Sequence, residues 1–210
     1  MTVILTADPT FTAPALKLRP WKSEDADALV RAHHDPEMRR WLTTTVTSVE
    51  DARRWIHEQN EGWSSGERFS FAVLEHEPKQ RDTDPPIAQA VLKPVTDNGI
   101  PAAEVGYWVS AAARGRGIAP RTLEAVSRWA LGPQSPLPFE RLDLIHALGN
   151  RASCRVAEKC NYVLSSVLPP QPPTFPTEGH LHVRTSSTSG AVPGSAVAKA
   201  DETTFRRSRK

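Results

Sequence analysis

Gly115 and Gly117 stand between a strand-forming run and a helix-forming run, a placement that can hold an anion. Upstream, Glu104-Val105-Gly106-Tyr107-Trp108-Val109 is rich in β-branched and aromatic residues and predicts a strand. Ser110 to Ala113 is a small-residue turn, and Arg114-Gly115-Arg116-Gly117-Ile118-Ala119 follows it. Pro120 to Leu131 predicts a helix, because Ala119, Leu123, Val126 and Ala130 recur at three- and four-residue steps. Proline fits a first helical turn, where its missing N–H has no intrahelical partner. A helix start offers free N–H groups and the positive end of the dipole, and glycine lacks the Cβ that would keep a phosphate away. The unit therefore predicts a pyrophosphate cradle. It is not a P-loop, since no Lys-Ser/Thr follows the glycines, nor Gly-x-Gly-x-x-Gly, since Pro120 occupies the third glycine's place.

The elements that must position this turn can be read along the chain. Residues 1–13 predict a flexible arm, and Leu16-Lys17-Leu18-Arg19 alternates as a first strand. A helix capped by Ser23 carries Ala26, Leu29, Val30 and His33 on one face and is interrupted at His34-Asp35-Pro36. A second helix starts at Ser48, with Asp51 three residues on. Phe69 to Leu74 and Ile87 to Leu92 predict strands two and three, an antiparallel hairpin with a long polar connection from Glu75 to Pro86. Strand four is Glu104 to Val109, and strand five is Arg141 to Ala147. Asn150 opens a helix to Cys160, Tyr162 to Val167 resumes strand character, and His180 to Arg184 makes a last strand. This succession predicts an α/β fold, a mixed, mostly antiparallel central sheet with helices on both faces.

The turn resembles a third pattern, Arg/Gln-x-x-Gly-x-Gly/Ala, the acetyl-CoA signature of the GNAT superfamily of N-acetyltransferases. It stands here as Arg114-x-x-Gly117-x-Ala119, behind the expected strand. Asn150-x-x-Ser153 followed by Glu158-Lys159-Cys160-Asn161-Tyr162 is similar to a segment of the RimJ/RimL-like branch, which acetylates ribosomal-protein N-termini. Asn161 replaces that branch's glycine; if the position needs positive φ, asparagine is the next most tolerant residue. The resemblance covers residues 14–185 and implies the GNAT fold, with the acyl donor in a splay between strands four and five. It assigns backbone N–H groups of Arg114, Gly115, Arg116, Gly117, Ile118 and Ala119 to the pyrophosphate. It also places a backbone N–H near Val109 at the thioester oxygen, Asn150 on the pantetheine arm and Ser153 beside the sulfur.

Acetyl transfer needs a neutral amine, a polarised thioester carbonyl and a stabilised thiolate. Many family members place a tyrosine five residues before the Gly-Phe/Tyr aromatic as general acid; that position here is Ala157, so the resemblance leaves Ser153 as the replacement, with helix capping as its plainer role. Glu104, on strand four where relatives often carry a water-linked glutamate, is the candidate base, a solvent-facing carboxylate being the alternative. Asp143 alternates with Leu142 and Leu144 and is better explained by a salt bridge. An α-amine titrates near pH 8 against about 10.4 for lysine, so a weak base favours a protein N-terminus as acceptor. A small-molecule amine such as an antibiotic or polyamine, and a non-catalytic acyl-CoA-binding or sensing module, are the alternatives. Trp21, Trp41, Trp55 and Trp63 fall in the family's acceptor-wall region, where core packing accounts for most of them.

Composition bounds the rest. The 210 residues suit one domain, while 39% hydrophobic content and 19 prolines leave part of the chain unpacked. The sequence pI of 8.7 is a property of the end of the chain. From Ser186 onward there are five basic and two acidic residues, +3; against +2 overall, residues 1–185 carry −1. Residues 186–210 thus predict a disordered basic tail, and nucleic acid binding is expected only through Arg206-Arg207-x-Arg209-Lys210. The start lacks a signal-peptide pattern and no segment has the length of a membrane span, so a cytoplasmic acetyltransferase is expected. Cys154 and Cys160 do not predict a disulfide, and His180-x-His182 without a third ligand does not predict a metal. A homodimer is compatible with the sequence.

Overall fold

The computed structural model describes residues 3–76, 84–97 and 99–186. Its strands are β1 Leu5–Ala7, β2 Ala15–Pro20, β3 Phe69–His76, β4 Ala88–Asp97, β5 Ile100–Val109, β6 Arg141–Ala147, β7 Val163–Leu168 and β8 Gly179–Thr185. The helices are α1 Ala26–His33, α2 Pro36–Arg39, α3 Val49–Ser65, α4 Ile118–Ala130 and α5 Arg151–Lys159. One sheet runs β1-β2-β3-β4-β5-β6-β8-β7. Among the described residues only β5 and β6 pair in parallel; every other neighbour is antiparallel.

Strand alternation divides the core between the two faces. On one, Phe69, Phe71, Val73, Ala90 and Val105 pack beneath Ile118, Leu123, Val126 and Trp129 of α4 and Ala157 of α5. On the other, Ala72, Leu74 and Trp108 meet Leu29, Met38 and Ile56 from α1, α2 and α3. Local chemistry sets the helix ends. Ser48 accepts from the Asp51 N–H at 3.0 Å, and Asp35 caps α2 by accepting from the Glu37 N–H at 3.1 Å. Asn150 caps α5 through Oδ1, which accepts from the Ser153 N–H at 3.2 Å. Between β2 and α1, Arg19 donates twice to Asp25 at 2.7 and 2.8 Å in a buried pair.

Three expectations change. Ser23 does not cap the first helix: it opens a short 3₁₀ turn, Ser23–Asp25, behind Lys22, and α1 starts only at Ala26. Within the proposed arm at residues 1–13, Leu5–Ala7 forms an edge strand on β2, and Thr10 bridges Ala13. The Arg121 guanidinium holds it there, donating to the carbonyls of Asp8 and Pro14, each at 2.7 Å. A three-residue strand is too short to register as periodicity. Strands three and four are also longer than expected and pair as a hairpin from Ala88↔Val109 to Asp97↔Ile100. Of the expected basic tail, residues 186–210, all but Ser186 lies outside the described residues, as does most of the Glu75 to Pro86 connection.

Candidate functional site

The β5–β6 ladder runs only from Ala102↔Arg141 to Val105↔Leu144. β5 continues to Val109 and β6 to Ala147, but the two no longer pair. A cleft therefore opens between the C-terminal ends of two adjacent parallel strands, where the family resemblance implies a splay between strands four and five. The numbering differs by one because β1 precedes.

The glycine turn lies beyond the end of β5. Gly115 has φ +75° and Gly117 φ +71°, and Gly117 is the N-cap of α4. A Cβ at either would meet nothing within 4 Å, so conformation demands glycine and the space before the turn is open. Among the described residues, no backbone carbonyl accepts from the N–H groups of Gly115 to Ala119. The side chains brace the turn from outside: Arg114 pairs with Asp35 at the start of α2, and Arg116 with Glu75 near the end of β3. Val109 ends β5 on the α4 face, paired with Ala88 of β4.

Tyr107 is a polar residue of the cleft that sequence reasoning passed over. Its hydroxyl donates to Ser153 Oγ at 3.2 Å, joining β5 to α5. Burial pushes the phenol up to about 12, with the Ser153 hydrogen bond opposing. It therefore keeps its proton at neutral pH. The parity of β5, with Val105 and Val109 also facing α4, was the available signal, but the partner lies 46 residues away. The Ser153 hydroxyl does not cap α5, because Asn150 does; the Asn150 amide nitrogen remains available to a ligand.

Glu104 alternates with the inward-facing Ala103 and Val105, so it lies on the opposite face, with α1 and α3. It pairs in register with Asp143 one step before the cleft opens, and among the described residues it has no hydrogen bond or ion pair. Asp143 is engaged, receiving both Arg141 Nε and Nη2 at 2.8 Å. The structure thus brings Tyr107 and Ser153 together on one face, and leaves Glu104 on the other. Of the tryptophans, Trp21 is buried and meets Trp55 edge-on at 5.3 Å, and Trp63 packs on Phe69, Phe71 and Trp129. Trp41 is 36% exposed and lies near Gly149, which follows β6 at the rim of the cleft. Asn161 has φ +58°, the left-handed conformation its substitution for glycine implied.

Comparison with known proteins agrees with this geometry. The GNAT acetyltransferase domain profile matches residues 15–163. No curated protein matches by sequence. Among solved structures, Mycobacterium smegmatis RimJ in complex with a CoA-disulfide superposes with a TM-score of 0.71 at 18% identity, over 88% of this chain and 87% of that one. A ribosomal L7/L12 α-N-protein acetyltransferase, RimL, in complex with coenzyme A gives 0.68 at 17% identity, over 86% and 97%. The microcin C7 self-immunity acetyltransferase MccE, solved with acetyl-CoA and AMP, gives 0.68 at 14%, over 81% and 92%. At these identities the likeness speaks for the fold, and the profile for descent: the chain belongs to the GNAT acetyltransferase family.

Proposed function

We propose that this GNAT acetyltransferase uses acetyl-CoA to acetylate a protein N-terminal α-amine, by direct attack in a ternary complex. The observation that carries the donor side is the cleft where β5–β6 pairing stops after Val105↔Leu144, facing the open turn at Gly115 and Gly117. Backbone N–H groups from Gly115 to Ala119 receive the pyrophosphate, the Arg114 N–H being already given to the Ala111 carbonyl at 3.3 Å, and Asn150 takes the pantetheine arm. An N–H near Val109 faces the thioester oxygen. The acceptor approaches from the face that carries Glu104, which takes the ammonium proton, directly or through water.

On the other face, Ser153 donates to the departing sulfur while accepting from Tyr107. A phenol near 12 cannot protonate a thiolate whose conjugate acid lies near 8.5 without an uphill step. The pair therefore stabilises the thiolate by hydrogen bonding. No residue of the chain becomes acylated. The α-amine is favoured because a weak, water-linked base suits an acceptor near pH 8 better than lysine near 10.4. A small-molecule amine is the alternative, favoured by the flat, partly exposed Trp41 near the rim.

The test titrates acetyl-CoA into the full chain and into Gly117→Ala and Gly117→Glu. Both variants bear the same left-handed strain, but only glutamate adds charge and bulk before the turn. Wild type should bind, and Gly117→Glu should bind at least about 100-fold more weakly than Gly117→Ala. Equal affinity in the two variants would remove the turn from the donor site. Thiol release and intact mass with N-terminal peptides, N-terminally blocked lysyl peptides and polyamines then identify the acceptor. Equal rates on the first two would discard the α-amine preference.

A further inference from the structure

His180 and His182 lie two residues apart on β8 and so share a sheet face. His146 on β6 is the register partner of His180, and Leu144 that of His182. Leu144 belongs to the core beneath α4 and α5, so all three imidazoles face that side. Cys154 of α5 comes down onto them, its Sγ 3.3 Å from His180 Nδ1 and 3.5 Å from His146 Nε2. The rings crowd together, His146 stacking on His182 with centroids 5.2 Å apart and His146 meeting His180 at 5.5 Å. One donor atom from each of the four residues lies within 4.8 Å of the other three.

We propose that His146, Cys154, His180 and His182 form a metal centre for a borderline-soft divalent ion, zinc by its donor set. Tetrahedral zinc, with bonds of about 2.0–2.3 Å, sets its ligand atoms about 3.3–3.8 Å apart. Both sulfur–nitrogen separations are already at that spacing, and rotation about side-chain bonds closes the remainder. Two further observations point to an ion. His146 Nδ1 lies 2.9 Å from the Ala147 carbonyl; that hydrogen bond puts the proton on Nδ1 and leaves the Nε2 lone pair toward Cys154. A carbonyl on the far nitrogen is the usual outer support of a zinc-bound histidine. His182 is 2% exposed, and among the described residues neither ring nitrogen meets full hydrogen-bond geometry, although the Tyr162 backbone comes close enough to act on its pKa. Leaving such a group unmet in the interior is costly, and a metal bond would satisfy it.

Four protein ligands close the coordination sphere, so the centre is structural, not hydrolytic. On binding, the Cys154 thiol gives its proton to solvent and the thiolate takes its place on the ion. The ion would clasp α5 to β6 and β8, one residue from Ser153. Sequence alone offered two histidines; the third and fourth ligands arrive through β6–β8 pairing and the packing of α5.

The test is cobalt titration of the chelator-treated full chain, followed by absorption, with no acetyl donor present. One cobalt per chain should bind, with tetrahedral ligand-field bands and a thiolate-to-cobalt band. The latter should vanish in Cys154→Ser and persist in Cys160→Ser. His180→Gln should weaken cobalt binding by more than about 10-fold. Zinc should displace cobalt and raise the melting temperature of the wild type. Absence of the thiolate band in wild type, or its survival in Cys154→Ser, would overturn the site. If Cys154→Ser does not fold, unchanged cobalt affinity in His180→Gln would overturn it equally.

Discussion

One wall of the cleft is a single run of sequence, β5, the glycine turn and α4, within residues 100–130. The other is gathered from β6, α5 and β8, spread over residues 141–185. The first wall's chemistry is made by backbone: strand, left-handed turn, helix N-terminus. The second wall's is made by side chains that meet only after folding: Cys154 with three histidines, and Ser153, which reaches across to Tyr107 of the first wall. A wall built from backbone can be recognised in a short motif, whereas one built from side chains has no local signature.

The contrast can be pressed by substitution. Glu104→Gln, in the contiguous wall but on its α1 and α3 face, should lower kcat/KM by about 10²–10⁴-fold while acetyl-CoA affinity holds. An unchanged rate would return Glu104 to being a strand carboxylate. Tyr107→Phe cuts the link between the walls and should reduce kcat by about 10-fold, the worth of one hydrogen bond, again at constant donor affinity. If donor affinity falls instead, the pair positions CoA and not the leaving sulfur.

Smaller effects test the scaffold behind each wall. Asn161→Ala, at the turn from α5 into β7, should cost about 1 kcal/mol in denaturant unfolding, because alanine tolerates φ +58° less well. Asn161→Gly should be neutral or slightly stabilising by the same measure. Behind the first wall, His33 meets Trp108 edge-on and accepts the Val46 N–H at Nδ1, 3.1 Å away. Burial lowers its pKa from 6.5, so the unfolded chain binds more protons than the folded one as pH falls below that value. The His33 contribution is complete above about pH 6.5 and diminishes as pH drops toward the folded-state value. The melting temperature should therefore fall less steeply with acid in His33→Gln than in wild type; parallel curves would show that His33 does not titrate with unfolding.

What was legible in the sequence follows the same division. Caps at Ser48 and Asn150 and the break at Asp35-Pro36 are local interactions and were read as they occur. The β6 strand was read with its observed bounds, because β-branched and aliphatic alternation spans it. β4 runs on past Leu92, where the expected strand ends, to Asp97, and carries Pro94 opposite Ala103, a residue that ordinarily argues against a strand interior. β1 escaped because three residues have no period and its anchor, Arg121, lies more than a hundred positions away. Within the site, the glycine turn is legible as a motif, whereas the sequence marks Tyr107 only as a strand aromatic. Its role depends on which face β5 turns toward α5, and register is settled by the whole sheet.

The lost rungs between β5 and β6 have a further consequence. Each strand keeps its other neighbour, β4 and β8, so the sheet contains two edges in its interior that face one another across the cleft. Unpaired strand edges are templates for an extended partner carrying amides at peptide-like spacing. The pantetheine arm of coenzyme A carries two amide groups on a flexible chain. The donor can then act as a short non-peptide strand, completing a ladder that the protein leaves unfinished. Amide hydrogen exchange would record this as slowing at Tyr107 and Val109, whose N–H groups face the cleft, while Gly106 and Trp108, directed at β4, and Ala102 to Val105, already laddered, would exchange at the same rate with or without donor.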